Sequence, residues 1–251
     1  MKGLWKKPLF KYVVIACLFL MLLSPLYMYF SHDVSVLKHQ YPHLRIDSSQ
    51  EVEVEIKPGK PSHWVNLKDI SRFGKWAIVL SEDWAFYQHE GLDVEQIKVA
   101  LSEMLSAERF RGASTITQQM VKNVLLSDSR TLWRKLHEII LAQKVEKVLS
   151  KDRILELYLN SIEFGPGIYG IKAAAKHYFK KSPSGLTPRE SAFLAMLLPS
   201  PKRYYISFKK KNLTRFARIR MKAILTKLRM GKIISLDQYQ SELNSKLSWE
   251  K

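Results

Sequence analysis

The sequence predicts a mainly α-helical domain tethered by one transmembrane helix. Three observations carry that expectation. Seven segments repeat apolar residues at spacings of three and four, residues 12–30 run without a charge behind a lysine-rich start, and a single short stretch alternates with the period of a strand. With 46% apolar residues, the 251-residue chain has composition enough for a packed core. Its one cysteine, Cys17, excludes an intrachain disulfide and a Cys-rich metal site.

The N-terminal element is the anchor. Lys2, Lys6, Lys7 and Lys11 precede Tyr12–Phe30, nineteen residues without charge, which as a helix would span roughly 28 Å, about one hydrocarbon core. A cleaved signal peptide usually has a shorter apolar region ending in small residues. This run ends in Leu26-Tyr27-Met28-Tyr29-Phe30, bulky and aromatic, which suits an uncleaved anchor in the inner membrane. The lysines place the tail, residues 1–11, in the cytoplasm and residues 31–251 outside it.

Residues 31–61 are expected as a stalk with a short strand, since Glu51-Val52-Glu53-Val54-Glu55-Ile56 alternates and Pro58-Gly59-Lys60-Pro61 has turn chemistry. Helices follow from Asp69 to Leu80, Asp93 to Leu105, Ser114 to Leu126, Thr131 to Leu149, Asp152 to Asn160, Thr187 to Leu198 and Leu213 to Met230. Thr187-Pro188-Arg189-Glu190 is a capping box with proline at the first helical position. Gly165-Pro166-Gly167 and Pro199-Ser200-Pro201 are breaks between helices. The main domain is placed at residues 62–205, and residues 206–251 form a basic helical extension.

Lys and Arg number 41 against 23 Asp and Glu, a net charge of +18 that asks for a polyanionic partner. The charge is uneven: residues 1–11 hold four lysines, and Lys202–Lys232 hold twelve cations and no acid. Within that second block Ala217, Met221, Ile224, Leu225 and Leu228 make an apolar stripe. Such a helix can pack on the domain while its basic face meets anionic lipid or lipid-linked diphosphate.

Four segments could carry chemistry. In Ser81 to Gly91, Glu82, Phe86 and His89 would share one helix face, with Gly91 to end the helix and Asp93 to cap the next. A carboxylate beside an aromatic wall can serve as a general base; a packed acidic helix end is the plainer account. In Gly112 to Asn123, Ser114 as N-cap opens a helix whose free N–H groups suit an anion. Thr115, Gln118, Gln119 and Lys122 would then share a polar face. Arg130, Arg134 and Lys135 could grip a diphosphate, or Arg134 and Glu138 could be only a surface pair. Asp152, Glu156 and Asn160 form a polar stripe on an otherwise apolar helix, either a partly buried carboxylate or a narrow solvated edge.

Order and wording together go further. Glu82-Asp83-x-x-Phe86-x-x-His89-x-Gly91, Gly112-Ala113-Ser114-Thr115-Ile116-Thr117-Gln118-Gln119, Arg134-Lys135-x-x-Glu138 and Lys151-x-x-Ile154-Leu155-Glu156-x-Tyr158-Leu159-Asn160 resemble the successive motifs of the family 51 peptidoglycan glycosyltransferases. Phe164-Gly165-x-Gly167-x-Tyr169-Gly170 and Leu186 to Pro199 resemble the fifth region and its surroundings. The likeness covers about residues 62–205. Ala113 stands where the family usually has a second glycine. Ser207-x-x-Lys210 and Ser248-x-x-Lys251 match the transpeptidase nucleophile pattern by accident, since no Lys-Thr-Gly accompanies them, and the resemblance is to the monofunctional, biosynthetic members.

The resemblance implies a lysozyme-like helical lobe and a smaller membrane-facing jaw, here near residues 92–112 with its tip at about Ser106 to Arg111. It implies polymerisation of lipid II into β-1,4-linked glycan, with inversion and release of undecaprenyl diphosphate. Glu82 is expected as the catalytic base. Glu156 is expected as the second catalytic glutamate, holding the cations and the sugar diphosphate. Lys122, Arg130, Arg134 and Lys135, with Ser114, Thr115, Gln118 and Gln119, are expected to bind substrate. Asp83, Phe86, His89, Glu138 and Asn160 support them. Members use Mg²⁺ or Mn²⁺, for which no ligand cluster shows in this sequence. The partners implied are lipid II, the growing glycan, membrane lipids and the cell-wall machinery, and no nucleic acid. A lytic glycan hydrolase and a non-enzymatic basic membrane protein binding nucleic acid or acidic lipid are the rival readings. The cation set Lys122, Arg130 and Arg134 favours a diphosphate substrate over the first, and the predicted outside location, with no recognition module in the motifs, counts against nucleic acid for the second.

Overall fold

A computed structural model describes residues 11–13, 23–46, 52–105, 114–126, 129 and 131–251. Much of the expected anchor, residues 14–22, lies outside the described residues, as do the jaw tip and Arg130. Among the described residues no helix is long and apolar enough to cross a membrane.

Residues 11–13 and 23–30 are helical, the second stretch being α1. The chain continues as β1 (Tyr41–Ile46), β2 (Val52–Lys57), α2 (Arg72–Glu82), α3 (Val94–Leu105), α4 (Ile116–Leu125), α5 (Leu132–Val148) and α6 (Lys151–Ser161). After them come β3 (Glu163–Gly165), β4 (Ile168–Tyr169), α7 (Ile171–Phe179), α8 (Pro188–Leu197), α9 (Pro201–Tyr204), α10 (Ile206–Lys209), α11 (Arg215–Met230) and α12 (Leu236–Asn244). The architecture is mainly helical, and every segment with strong three-and-four spacing is a helix.

The centre is α8. From Pro188 to Leu197 only Arg189 is not buried, as befits a helix apolar on all sides. Thr187 caps it by accepting from the Glu190 N–H at 3.2 Å, while Glu190 Oε2 accepts from the Thr187 N–H at 2.9 Å. The two helices against it, α2 and α11, present Ala77, Ile78 and Val79, and Ala217, Met221, Ile224, Leu225 and Leu228. The apolar stripe of the basic block is therefore core. Residue 205 marks no division in the packing, since α11 belongs to the same hydrophobic cluster as α8.

Two regions differ from the sequence expectation, and helices α7 and α9 are additional to it. The stalk is packed: Val34 and Leu37, in a short 3-10 turn, are buried, and β2 pairs antiparallel with β1, with Tyr41 opposite Lys57 and Ile46 opposite Val52. Pro42 and His43 weaken the strand signal of β1, which tertiary pairing supplies. The break at Gly165-Pro166-Gly167 is the turn of a second small hairpin, β3 with β4. Its exit holds a tight approach: Gly170 has φ of 80°, and a Cβ there would stand 2.8 Å from the Asn160 carbonyl oxygen. Gly170→Ala should cost about 2–4 kcal/mol, read as a fall in Tm on the order of 4–16 °C; an unchanged Tm would show that the hairpin relaxes freely.

Candidate active site

Glu82 is the last residue of α2. Ser71 opens that helix by accepting from the Gly74 N–H at 3.0 Å, and Asp83 ends it. The expected shared helix face of Glu82, Phe86 and His89 therefore does not form, because residues 84–90 leave the helix in turns. Asp83 assembles the segment instead. Its buried carboxylate accepts from the Ile116 backbone N–H at 2.9 Å and lies 2.9 Å from His89 Nε2. Phe86 is fully buried beneath the turn. Gly91, with φ of 81°, lets the chain pass where a Cβ would sit 3.1 Å from the Ala142 carbonyl oxygen, and its own carbonyl accepts from Thr115 Oγ1 at 2.7 Å.

This arrangement corrects the reading of the next helix start. Thr115, not Ser114, is the N-cap of α4, and Gln118 returns the bond in a capping box. Together with Asp83 on the Ile116 N–H, the helix start is occupied by protein groups, not left open for an anion. Thr115 and Gln118 are buried by these roles and are not part of an open polar face. Ser114 instead accepts from Lys135 Nζ at 2.9 Å. Asp83, Phe86 and His89 are thus brought together by a geometry that helix periodicity did not foresee.

One turn along α4, Gln119 joins two elements. Its Nε2 donates to Glu82 Oε2 at 3.1 Å and its Oε1 accepts from the Tyr158 hydroxyl at 2.8 Å. The orientation of the amide follows from chemistry: a carboxylate offers only acceptors, so the NH₂ faces Glu82. Burial raises the proton affinity of Glu82 above the ordinary carboxylate range, and neighbouring Asp83 adds to the rise. The Gln119 amide and the positive charges of Arg220 and Lys227 pull the other way. Lys227 also donates to the Leu80 carbonyl at 2.6 Å, so α11 lies against the end of α2. Lys122, exposed, follows Gln119 by three residues on α4.

The cations gather on Glu138. This carboxylate, buried on α5, accepts from Arg134 Nη1 at 2.8 Å and from Lys135 Nζ. Thr131 caps the helix that aligns them. Lys135 reaches Ser114 while Asp83 reaches Ile116, so the first turn of α4 ties the cation cluster to the Glu82 segment.

Glu156 and Asn160 are elsewhere. Glu156 accepts from Arg153 Nη1 at 2.8 Å, from the Leu67 N–H at 2.8 Å and from Trp64 Nε1 at 3.2 Å. Asn160, buried, binds both the N–H and the carbonyl of Val65 at 2.9 Å. Arg153 completes a clamp by donating to the Leu37 and Gln40 carbonyls. The contacts expected of Glu156 with Arg134 and Lys135 belong to Glu138, because α6 turns Tyr158, not Glu156, toward α4. Tyr158 is the site residue that sequence reading passed over. The available signal was a lone phenol inside Ile154–Leu159, since a buried hydroxyl needs a partner. Arg220 and Lys227 stand out in the sequence only as members of a basic block.

Comparison with known proteins gives the family. A family model described as Transglycosylase matches residues 50–229, past the boundary expected at 205. A biosynthetic peptidoglycan transglycosylase of Nitrosomonas eutropha is 43% identical over 171 residues, 68% of this chain and 68% of its own length. One of Brucella suis is 41% identical over 185 residues, 73% of this chain and 83% of its own length. One of Shewanella denitrificans is 49% identical over 140 residues, 56% of this chain and 61% of its own length. The crystal structure of penicillin-binding protein 1A from Haemophilus influenzae aligns at 20% identity and a TM-score of 0.40, over 83% of this chain and 21% of that one. On the extent of the family match and the shares of its relatives covered, the chain belongs to the transglycosylase family.

Proposed function

We propose that the chain is a peptidoglycan glycosyltransferase that polymerises lipid II, with Glu82 as general base and the Arg134–Lys135–Glu138 cluster receiving the leaving diphosphate. The observation that carries this reading is a carboxylate of raised proton affinity linked, through the first turn of α4, to a fork of cations on a buried acid. The 4-hydroxyl of the acceptor GlcNAc attacks C1 of the donor MurNAc in line. The new C–O bond forms as the bond to diphosphate breaks, and the hydroxyl proton passes to Glu82. Inversion converts the α-linked donor to a β-1,4 product. The diphosphate leaves as an anion, so it needs positive charge more than a proton. A charge at about 4 Å and an effective dielectric of about 20 attracts by roughly 4 kcal/mol before desolvation, and each ~1.4 kcal/mol realised only in the transition state is tenfold in rate.

Glu138 takes the cation-holding role in this proposal, and the contacts of Glu156 make it part of the clamp on residues 64–67. Lys122, by its place on α4 beside Gln119, and Arg130 remain proposed diphosphate contacts on the resemblance. Among the described residues no three His, Cys, Asp or Glu converge to hold an ion. The Mg²⁺ or Mn²⁺ that the resemblance implies therefore has no protein cage there, and no step is assigned to it.

The membrane side of the proposal rests on exposed apolar residues. Leu26, Tyr27 and Phe30 of α1 and Leu132 and Trp133 at the start of α5 are exposed, as are Val94, Ile97 and Val99 of α3. Such patches mark interaction with lipid or protein, and a lipid-linked substrate fits α3 as the membrane-facing jaw beside a lysozyme-like lobe. Products from labelled lipid II, resolved on a gel, test the activity: a ladder of glycan supports it. Cleavage of mature glycan with no ladder would show the hydrolase instead.

The pH dependence has a defined sign. The base must be ionised, so turnover falls as pH drops through the raised pKa of Glu82. The acid limb of kcat/KM, which reports the free enzyme, should have its midpoint above the ordinary 4.5, and Gln119→Ala, which removes a donor to the ionised form, should move it higher still. A wild-type midpoint at or below 4.5 would remove Glu82 from this role.

A further inference from the structure

The C-terminal end of α1 is held by side chains of α5, and His32, just beyond it, also bonds the Leu125 backbone at the end of α4. Lys144 Nζ donates to the carbonyls of Tyr29 at 2.7 Å and His32 at 2.6 Å, and lies 4.9 Å from the centre of the Tyr29 ring. His137 Nε2, two turns earlier on the same face, is within hydrogen-bond distance of the Met28 carbonyl at 3.1 Å and the Ser31 hydroxyl at 2.8 Å. The last carbonyls of a helix have no partner within it, and a cation placed there also complements the helix dipole. Met28 is buried against this junction while Leu23, Leu26, Tyr27 and Phe30 face outward. The same helix carries Arg134, Lys135 and Glu138. Since Leu132–Val148 is unbroken, nothing between the cation cluster and the α1 junction can act as a joint.

A diphosphate tied to a lipid stays at headgroup depth, and attraction to a cation falls off within a Debye length of about 8 Å. The cations must therefore arrive at that depth. We propose that Lys144 and His137 are positioning residues that lock α1 onto α5 and so set the height of the Arg134–Lys135–Glu138 cluster relative to the bilayer that holds the substrate. This rests on the glycosyltransferase reading and adds to it a source of apparent affinity for membrane-bound donor.

The test uses the full chain in lipid vesicles with long-chain lipid II, and in solution with a short-chain, water-soluble lipid II analogue. Lys144→Met should raise KM for the vesicle substrate about tenfold or more, leave kcat on the soluble analogue within about twofold, and be rescued by Lys144→Arg. Equal loss on both substrates with a lowered Tm would reduce Lys144 to a fold contact and overturn the proposal, as would no change on either. A wild-type chain that makes no glycan from either substrate would instead overturn the glycosyltransferase reading beneath it.

Discussion

Glu82→Gln should lower polymerisation of lipid II by about 10²–10⁴-fold, the usual contribution of a positioned general base, while donor binding changes little. The substitution keeps the shape of the side chain at the end of α2 and still meets Gln119, but it cannot take the acceptor's proton. Gel analysis of labelled product measures the first quantity, and equilibrium binding of lipid II the second. Retention of more than a few per cent of the rate would assign the base elsewhere. Stability supplies an independent sign. Because burial raises the folded-state pKa of Glu82, ionising it opposes folding; that opposition enters as pH rises from the unfolded value through the folded one and is complete above both. Glu82→Gln should therefore melt no lower than wild type at neutral pH, with the difference fading below pH 4.5. A residue that costs stability and supplies rate is placed for chemistry.

Glu138→Gln should harm both fold and turnover. Its buried carboxylate is the acceptor for Arg134 and Lys135, and an amide in its place turns an NH₂ toward a cation. Leaving buried donors without their acid costs about 1–3 kcal/mol, or roughly 2–12 °C in Tm. With the fork no longer aligned, kcat should fall on the order of 10–100-fold. Glu156→Gln is the comparison. It loosens Arg153, Trp64 and the Leu67 N–H, so it should lower Tm while the folded fraction keeps kcat near wild type. The reverse pattern, kcat lost with Glu156 and kept with Glu138, would return the second catalytic role to α6.

These contrasts show where sequence reading stops. Ser114 and Thr115 are both good N-caps by type, and local pattern cannot choose between them. The choice was made by Gly91 and Lys135, twenty or more residues away, which engage Thr115 and Ser114 respectively. The same applies to Glu138 and Glu156. Each is a glutamate on a helix with a basic residue within one turn, and only the rotation of α5 and α6 in the packed core decides which carboxylate meets Arg134 and Lys135.

The sequence by itself determined what depends on neighbours along the chain: the helices α2 to α6, α8 and α11, the capping box at Thr187, the core stripe of α11, and the motif order that marks the family. Tertiary structure decided what depends on distance in space. It paired β1 with β2, packed the expected stalk through Leu37 and Arg153, put Asp83 on the start of α4, and linked Glu82 to Tyr158 through Gln119. Helix periodicity fixes which side chains share a face within a few residues, whereas a hydrogen bond between residues 82 and 119 forms only after both helices are buried against a common core.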